Sequence, residues 1–252
     1  MHSTTIWHPS KTNNYARYRW AYANEAIDTI IKLAGIGTET QMADIGAGPG
    51  NLAKHFLDKV QRVILVEPNQ SMRTQAEALY GNHPAFQIVE GSAEATGLPD
   101  ASVDVIGVGQ AVHYFQAEPA RREFLRILKP GGWLAVLRNY GIDEDLNAAI
   151  QDVYSEENGC DPSIISNRPA WKPMDFYFSA GSFRKHVFPF TDSKNREDYI
   201  RSLSTASYAP HEDHPLYPQF VAAAGELFDH YNNNGILHTP AETELYLGQM
   251  RV

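Results

Sequence analysis

The stretch Asp44-Ile45-Gly46-Ala47-Gly48-Pro49-Gly50 decides the fold. It continues the apolar run Met42–Ile45, which has the length and composition of a short buried strand. Glycine lets the backbone turn tightly and lets a ligand approach closely. The pattern over Leu52–Lys59 predicts a helix after the loop, and the first N–H groups of a helix are free to bind a ligand. The loop therefore indicates a ligand site at the carboxyl end of the first strand.

Outward from this loop, short apolar runs alternate with amphipathic stretches. Strands that alternate with helices form βαβ units and a parallel sheet, so the fold class is α/β. Lys129-Pro130-Gly131-Gly132 stops the last helix of this series. The further predicted strands are Val63–Val66, Phe86–Val89, Val103–Val108 and Trp133–Leu137, and the further helices are Ser71–Tyr80 and Glu118–Leu128.

The chain on either side of this core is predicted separately. Helical spacing predicts a helix over Asn24–Ala34 before it. After it, the pattern is α+β and less regular, and we expect a lid or a set of excursions from the sheet. Asn158–Pro173 contains three prolines and is predicted to be irregular. The other elements expected here are helices over 142–153, Asn195–Leu203 and Gln219–Tyr231, and strands Phe183–Phe188 and Glu242–Gly248.

Composition limits the function. The 252 residues suit one large domain. The net charge of −9 and the lack of a basic run disfavour nucleic acid as a partner. The single cysteine, Cys160, excludes a disulfide framework and is expected to be inert. No apolar run approaches the roughly 18 residues of a membrane span, and Met1–Thr5 lacks the charged leader of a secreted protein. We expect a cytoplasmic protein without a membrane partner.

Three residues define the ligand. Glu67 ends the second strand, where a carboxylate can accept hydrogen bonds from both hydroxyls of a ribose. Asn51 stands where the dinucleotide fingerprint has its third glycine. Asp44 would repel a pyrophosphate, whereas it can pair with an ammonium group. The ligand implied has an adenosine end and a cationic end without phosphate.

Several further segments extend this pattern in order along the chain. With the glycine loop they resemble the class I (Rossmann-like) S-adenosylmethionine-dependent methyltransferases over roughly residues 13 to 140. The resemblance implies a mostly parallel seven-stranded sheet flanked by helices. It also implies one methyltransferase domain over 1–252, with 13–140 as the cofactor-binding core and 141–252 as substrate-side elements and last strands. The segments are Val66–Met72, Gly91–Pro99, Ser102–Ile106 and Leu125–Gly132.

The resemblance also implies S-adenosyl-L-methionine as cofactor and S-adenosyl-L-homocysteine as product. Asp44 and the glycine loop would hold the methionine part, Glu67 the ribose, and the loop after the third strand the adenine. Many relatives have aspartate where Ser92 stands, and a serine is a shorter, neutral acceptor. The residues expected to contact the cofactor are Tyr18, Arg19, Asp44, Gly46, Ala47, Gly48, Gly50, Glu67, Pro68, Met72, Ser92, Ala93, Glu94, Gln110 and Ala111.

Two arginines compete for one role near the N-terminus. The segment Tyr15–Arg19 resembles one that covers the cofactor in many such enzymes. A guanidinium can grip the cofactor carboxylate with two hydrogen bonds, and Arg19 is favoured over Arg17 for this contact.

The acceptor is expected beyond the fourth strand, because ligands of open α/β sheets bind past the carboxyl ends of strands. The run Gly109–Phe115 lies there and resembles the subgroup that includes trans-aconitate methyltransferases. His113 is the candidate general base, with a packing or cofactor-contacting histidine as the alternative. Tyr114 and Tyr208 are the candidate substrate contacts. A carboxylate acceptor would instead require a cation.

The predicted function is transfer of a methyl group to O or N of a small molecule by in-line displacement. A catalytically silent cofactor-binding partner or sensor is one alternative, and a nicotinamide-dependent oxidoreductase is another. No metal site is expected, because His211, Asp213 and His214 lie among prolines rather than on one helix face.

Overall fold

A computed structural model describes residues 8–170, 172–178 and 182–250. Trp171, in the stretch predicted to be irregular, and Met1–Thr5 lie outside the described residues. The helices are α1 (Pro9–Tyr18), α2 (Asn24–Ala34), α3 (Gln70–Tyr80), α4 (Ala117–Ile127), α5 (Glu144–Val153), α6 (Ser163–Ser166), α7 (Met174–Tyr177), α8 (Arg196–Leu203) and α9 (Tyr217–Tyr231). The strands are β1 (Gln41–Ile45), β2 (Arg62–Val66), β3 (Phe86–Val89), β4 (Val103–Gly109), β5 (Leu128–Gly141), β6 (Phe183–Lys194) and β7 (Leu237–Gln249).

The seven strands form one sheet in the order β3-β2-β1-β4-β5-β7-β6. The first five strands in this order are parallel, and Met42 of β1 pairs with Val63 of β2 and with Val105 of β4. The β7 strand runs the other way, since the Met250 N–H donates to the Gly132 carbonyl and the Ile142 N–H to the Pro240 carbonyl. The mostly parallel seven-stranded α/β fold is therefore confirmed, and the C-terminal part is α+β.

The chain divides into two compact units, and three of the five boundaries between them fall within β5, β6 and β7. The sheet unit comprises the described residues of Tyr22–Asn139, Pro169–Phe188 and Thr243–Val252. The helical unit comprises the described residues of Met1–Ala21, Tyr140–Arg168 and Pro189–Glu242.

The core of the sheet unit forms between alternate residues of the central strands and the apolar stripe of α4. Ile45 and Ile106 point to the same face of the sheet and are fully buried with Phe124 and Ile127. Side chains alternate across a strand, which explains why every second residue of β1 enters this cluster. The carboxyl ends of β1, β2 and β4 are thereby held in one rigid frame.

The helical unit has its own core, in which α5 and α8 pack on α9. Phe220 of α9 is fully buried, and Tyr199 and Leu203 of α8 belong to the same buried cluster. Lys11 of α1 is 4 % exposed, and its Nζ donates to the carbonyls of Ser207 and Ala209 at 3.1 and 2.7 Å. Burial lowers the pKa of Lys11 to about 8. The lysine that anchors α1 therefore loses its proton more readily than a surface lysine.

The predicted helix over Leu52–Lys59 is wrong. Only a short 3₁₀ turn, Ala53–His55, forms there, followed by further turns. The side chain of Asp44 accepts the Ala53 N–H, and the Phe56 N–H bonds to Ala53 three residues back. Burial of Leu52 and Phe56 against the sheet favours this compact path over a regular helix.

Several elements are longer in the structure than the sequence predicts. The last three strands, β5, β6 and β7, are all longer than their apolar runs predict, and α1 was not predicted as a helix. Among the helices of the described residues, none combines the length and apolar character needed to cross a membrane. Cys160 is buried, and burial raises its pKa to about 11, in agreement with an inert thiol.

The loop after β3 is fixed to α4 by one carboxylate. Glu123 accepts the backbone N–H of Thr96 at 2.8 Å and the Thr96 hydroxyl, and it pairs with Arg126. These hydrogen bonds, with Arg126 first, lower the pKa of Glu123 to about 2. Thr96 is fully buried, so its polar groups depend on this partner.

We expect Glu123→Ala to lower the free energy of unfolding by about 1–3 kcal/mol, because it leaves buried donors of Thr96 unpaired. The folded-state pKa is depressed, so the contribution of Glu123 is present above its ordinary pKa and is lost as pH falls toward about 2. Urea unfolding at pH 7 and pH 3 measures both effects. The exposed Glu118→Ala on the same helix is the control, and equal losses in the two variants would contradict the assignment.

Candidate functional site

Asp44 lies at the end of β1 and is 1 % exposed. Its Oδ2 accepts the Ala53 N–H at 3.0 Å, while Oδ1 is buried with no hydrogen-bond partner within the described part of the chain. Burial raises the pKa of Asp44 to about 7; the Ala53 N–H opposes this shift and the Glu67 carboxylate adds to it. A buried oxygen without a partner is costly, so this position favours a ligand that brings a donor, above all a cationic one.

The glycine loop is tied back to the neighbouring strand. Gly46 and Ala47 donate their N–H groups to the Val66 carbonyl at 2.9 and 3.3 Å. Gly46 has a φ of +67°, and a Cβ there would lie 2.7 Å from the Cβ of Ala111. Glycine at position 46 thus lets the loop after β1 approach the loop after β4.

Glu67 lies at the end of β2 and is 7 % exposed. Its Oε2 accepts the Gly48 N–H at 2.9 Å and its Oε1 accepts the Asn69 N–H at 2.8 Å. Burial raises the pKa of Glu67, and these two N–H groups and Arg73 oppose the shift. Each carboxylate oxygen can accept a second hydrogen bond, so the group retains two adjacent acceptors that suit a pair of ribose hydroxyls.

The sequence did not reveal two residues that support Glu67. Asn69 caps α3 by accepting the Met72 N–H at 3.0 Å, and an asparagine before a helix is a readable signal for such a cap. The guanidinium of Arg73 donates to the carbonyls of Glu67 and Pro68 at 3.0 and 2.7 Å, and no sequence pattern indicates that role. Met72 is buried, with its sulfur near Gly48.

The loop after β3 holds the residues predicted to face an adenine. Ala93 is 3 % exposed. Ser92 accepts the Glu94 N–H through its hydroxyl at 3.3 Å, and Glu94 accepts the Gln116 N–H at 2.8 Å at the start of α4. One carboxylate oxygen of Glu94 is therefore used to hold this loop against the helix.

The turn after β4 carries the predicted acceptor side. Gln110 has a φ of +56°, unusual for a residue with a side chain, and its Nε2 donates to the Asn139 carbonyl at 2.9 Å. Strained backbone of this kind is common at binding sites. His113 and Tyr114 lie in the following 3₁₀ turn, half-buried, with ring centroids 4.2 Å apart.

Three predicted site residues belong to the helical unit. Arg19 ends α1, is half-buried and donates to the Thr205 hydroxyl at 3.4 Å, whereas Arg17 is exposed. The ring of Tyr18 lies near the guanidinium groups of Arg17 and Arg201. Tyr208 is half-buried, with its ring 4.9 Å from that of Tyr154.

Within the sheet unit, the structure brings most of the predicted cofactor residues to the carboxyl ends of β1, β2 and β4. The chain moves outward from β1 through β2 to β3 and then returns to β4 on the other side of β1. Such a switch point is where ligands bind in open α/β sheets. Asp44 and Glu67 supply acceptors for an ammonium and a ribose, so the residues present fit S-adenosylmethionine.

Residues 43–136 match a methyltransferase domain. The chain is 33% identical over 130 residues to an uncharacterized methyltransferase of Mycobacterium tuberculosis, covering 52% of this chain and 51% of that one. It is 32% identical over 135 residues to the ubiquinone/menaquinone biosynthesis C-methyltransferase UbiE of Hydrogenovibrio crunogenus, covering 50% and 52%. The chain thus spans about half the length of the curated relatives it matches.

The fold has a wider match. The crystal structure of YcgJ from Bacillus subtilis superposes with a TM-score of 0.59 at 23% identity, covering 91% of this chain and 100% of that one. This likeness supports the Rossmann-like fold.

Asp44→Asn should separate stability from binding. The raised folded-state pKa means that Asp44 is protonated in the native protein from its ordinary value up to about pH 7. Native stability therefore falls as pH rises through this window, and a neutral amide avoids the loss. We expect cofactor-free Asp44→Asn to be more stable than wild type at pH 8 by on the order of 2–4 kcal/mol. We expect it to bind S-adenosylhomocysteine at least 10-fold more weakly, a loss of about 1.4 kcal/mol or more.

Urea unfolding between pH 4 and 8 measures the stability difference, and calorimetric titration measures the affinity. The exposed Asp28→Asn on α2 is the control, with neither change expected. A pH dependence that is the same in wild type and Asp44→Asn would contradict the raised pKa.

Proposed function

We propose that this chain is an S-adenosylmethionine-dependent methyltransferase acting on O or N of a small-molecule acceptor. The observation that carries the proposal is the pair of buried carboxylates at adjacent strand ends. Asp44 has an oxygen that lacks a donor within the described residues, and Glu67 has two acceptors fixed by the backbone of Gly48 and Asn69. The methyltransferase domain match over the same segment supports this interpretation.

The same carboxylates disfavour a nicotinamide cofactor. Its pyrophosphate would have to approach the glycine loop beside Asp44 and Glu67, where two acidic groups already raise the cost of negative charge. An ammonium group has the opposite effect, because it favours the ionised form of Asp44. At the glycine loop, a nicotinamide cofactor would therefore present a negative charge, whereas S-adenosylmethionine would present a positive one.

When bound, S-adenosylmethionine supplies a methyl group on a sulfonium sulfur that an acceptor atom displaces in line. The chain contributes by orienting the reactants and excluding water. In the proposed site, Asp44 and the glycine loop hold the amino-acid end and Glu67 holds the ribose. His113 takes the proton that a hydroxyl or amine loses as it forms the new bond to carbon.

The acceptor class follows from the role of His113. A hydroxyl or an amine needs a base, whereas a carboxylate needs a cation instead. A carbon acceptor is the second candidate, because the matched UbiE relative is named a C-methyltransferase. An acceptor panel should therefore contain hydroxyls, amines, carboxylates such as trans-aconitate, and electron-rich ring carbons, with S-adenosylhomocysteine production as the readout. Binding of cofactor without turnover on any class would favour the silent partner or sensor.

The ribose assignment is tested by Glu67→Ala. We expect calorimetry to show S-adenosylhomocysteine binding weakened by about 1.5–3 kcal/mol, the range for hydrogen bonds to a charged group. The exposed Glu77→Ala on α3 removes a carboxylate without touching the site. NAD is the comparison ligand, and binding of NAD instead of S-adenosylhomocysteine would overturn the cofactor. Unchanged affinity in Glu67→Ala would contradict the ribose assignment but not the choice of cofactor.

The base assignment is tested by His113→Ala with an acceptor from the panel. We expect turnover to fall by about 10²-fold or more while the affinity for S-adenosylhomocysteine stays unchanged. His83→Ala is the control, because His83 is a surface histidine paired with Asp58. A loss confined to cofactor affinity would make His113 a binding residue. Full activity in His113→Ala with a hydroxyl or amine acceptor would contradict its role as the base.

A further inference from the structure

Three potential metal ligands converge in the helical unit although two of them are far from the third in sequence. One ligand atom from each of His8, His211 and Asp213 lies within 4.8 Å of the others. The Nε2 of His8 is 3.4 Å from Oδ2 of Asp213, and the rings of His8 and His211 are stacked with centroids 4.9 Å apart. We propose that these three residues bind a divalent transition metal of the zinc type.

The spacing suits a tetrahedral ion. Zinc binds imidazole nitrogen and carboxylate oxygen at about 2.0–2.2 Å, which places neighbouring ligand atoms about 3.4 Å apart. The contact between His8 and Asp213 already has this separation, and a ligand atom of His211 lies within 4.8 Å of both. Two imidazoles and one carboxylate form a donor set that zinc and its neighbours accept and that magnesium and calcium disfavour.

One ring nitrogen of each histidine bears on how an ion would bind. The Nδ1 of His8 is 2.9 Å from the Ser10 hydroxyl. The same Nδ1 accepts the Ser10 N–H at 3.4 Å, so Nε2 carries the proton that faces Asp213, and a metal ion would displace this proton. The Nδ1 of His211 is buried and has no hydrogen-bond partner within the described residues. A metal ion that accepts the electron pair of this nitrogen would give it a partner.

The ion would stabilise the local structure and would take no part in the methyl transfer. His8 caps the first turn of α1, and His211 and Asp213 follow the segment Ser207–Ala209, to which Lys11 of α1 already donates two hydrogen bonds. Metal binding would add a second attachment between α1 and this segment. Arg19 at the end of α1 and Tyr208 in the segment are therefore expected to become more rigid when the ion binds.

The test uses the full chain after treatment with EDTA. Zn²⁺ is titrated in competition with a chromophoric chelator, and Co²⁺ is added separately to look for the visible bands of a tetrahedral ion. We expect one ion per chain, with affinity lowered at least 10-fold in both His8→Ala and Asp213→Asn. Zn²⁺ should also raise the melting temperature of wild type and not of His8→Ala.

His214→Ala is the matched control, because His214 lies on the same loop outside the ligand group. It should bind Zn²⁺ as wild type does. Asp213→Asn changes an exposed loop residue conservatively, so its circular dichroism should match that of wild type whatever the metal does. Binding unchanged in His8→Ala and Asp213→Asn, an equal loss in His214→Ala, or no binding below millimolar Zn²⁺ would each overturn the proposal and leave an ion pair between His8 and Asp213 only.

Discussion

The carboxylate of Asp44, buried at the end of β1, determines the path of the chain after the glycine loop. Asp44 takes the Ala53 N–H into its own hydrogen bond and so draws the chain after the glycine loop into a tight turn. Its other oxygen has no hydrogen-bond partner among the described residues, and burial raises the pKa of Asp44 to about 7. The position is unfavourable for the empty fold and favourable for a cationic ligand. Such a conflict between stability and binding is typical of functional sites.

The rest of the site follows from sheet order. Because β1 lies between β2 and β4, the loops after these three strands meet at one edge, and the missing Cβ of Gly46 lets Ala111 come close. Glu67 then reaches the Gly48 N–H across the same edge. The same packing therefore forms both the fold and the site. Hydrophobic packing fixes where the strands end, and backbone N–H groups orient the carboxylates at those ends.

The sequence predicted the central strands and most helices because their apolar periodicity is strong and local. Asp44, Glu67 and the glycine loop could be located for the same reason, since strand ends are readable. The turn at Ala53 could not, because it depends on a side-chain hydrogen bond from β1. The role of Arg73 was hidden likewise, since its partners are backbone carbonyls that any residue provides. The long ends of β5 to β7 depend on pairing between distant segments, which short apolar runs do not encode.

The cluster of His8, His211 and Asp213 shows the same limit and also a way past it. Read alone, the loop with His211 offers no metal site; the decisive ligand comes from the start of α1. Both this cluster and Asp44 contain a buried polar atom that has no partner among the described residues and lies beside other groups of suitable charge. His55 makes the contrast clear. Its Nε2 is also buried and unpartnered within the described residues, but Lys54 and Lys59 join burial in lowering its pKa to about 4. Two cations beside a neutral imidazole repel a metal ion, so an unpartnered atom indicates a ligand only where the surrounding charge agrees with it.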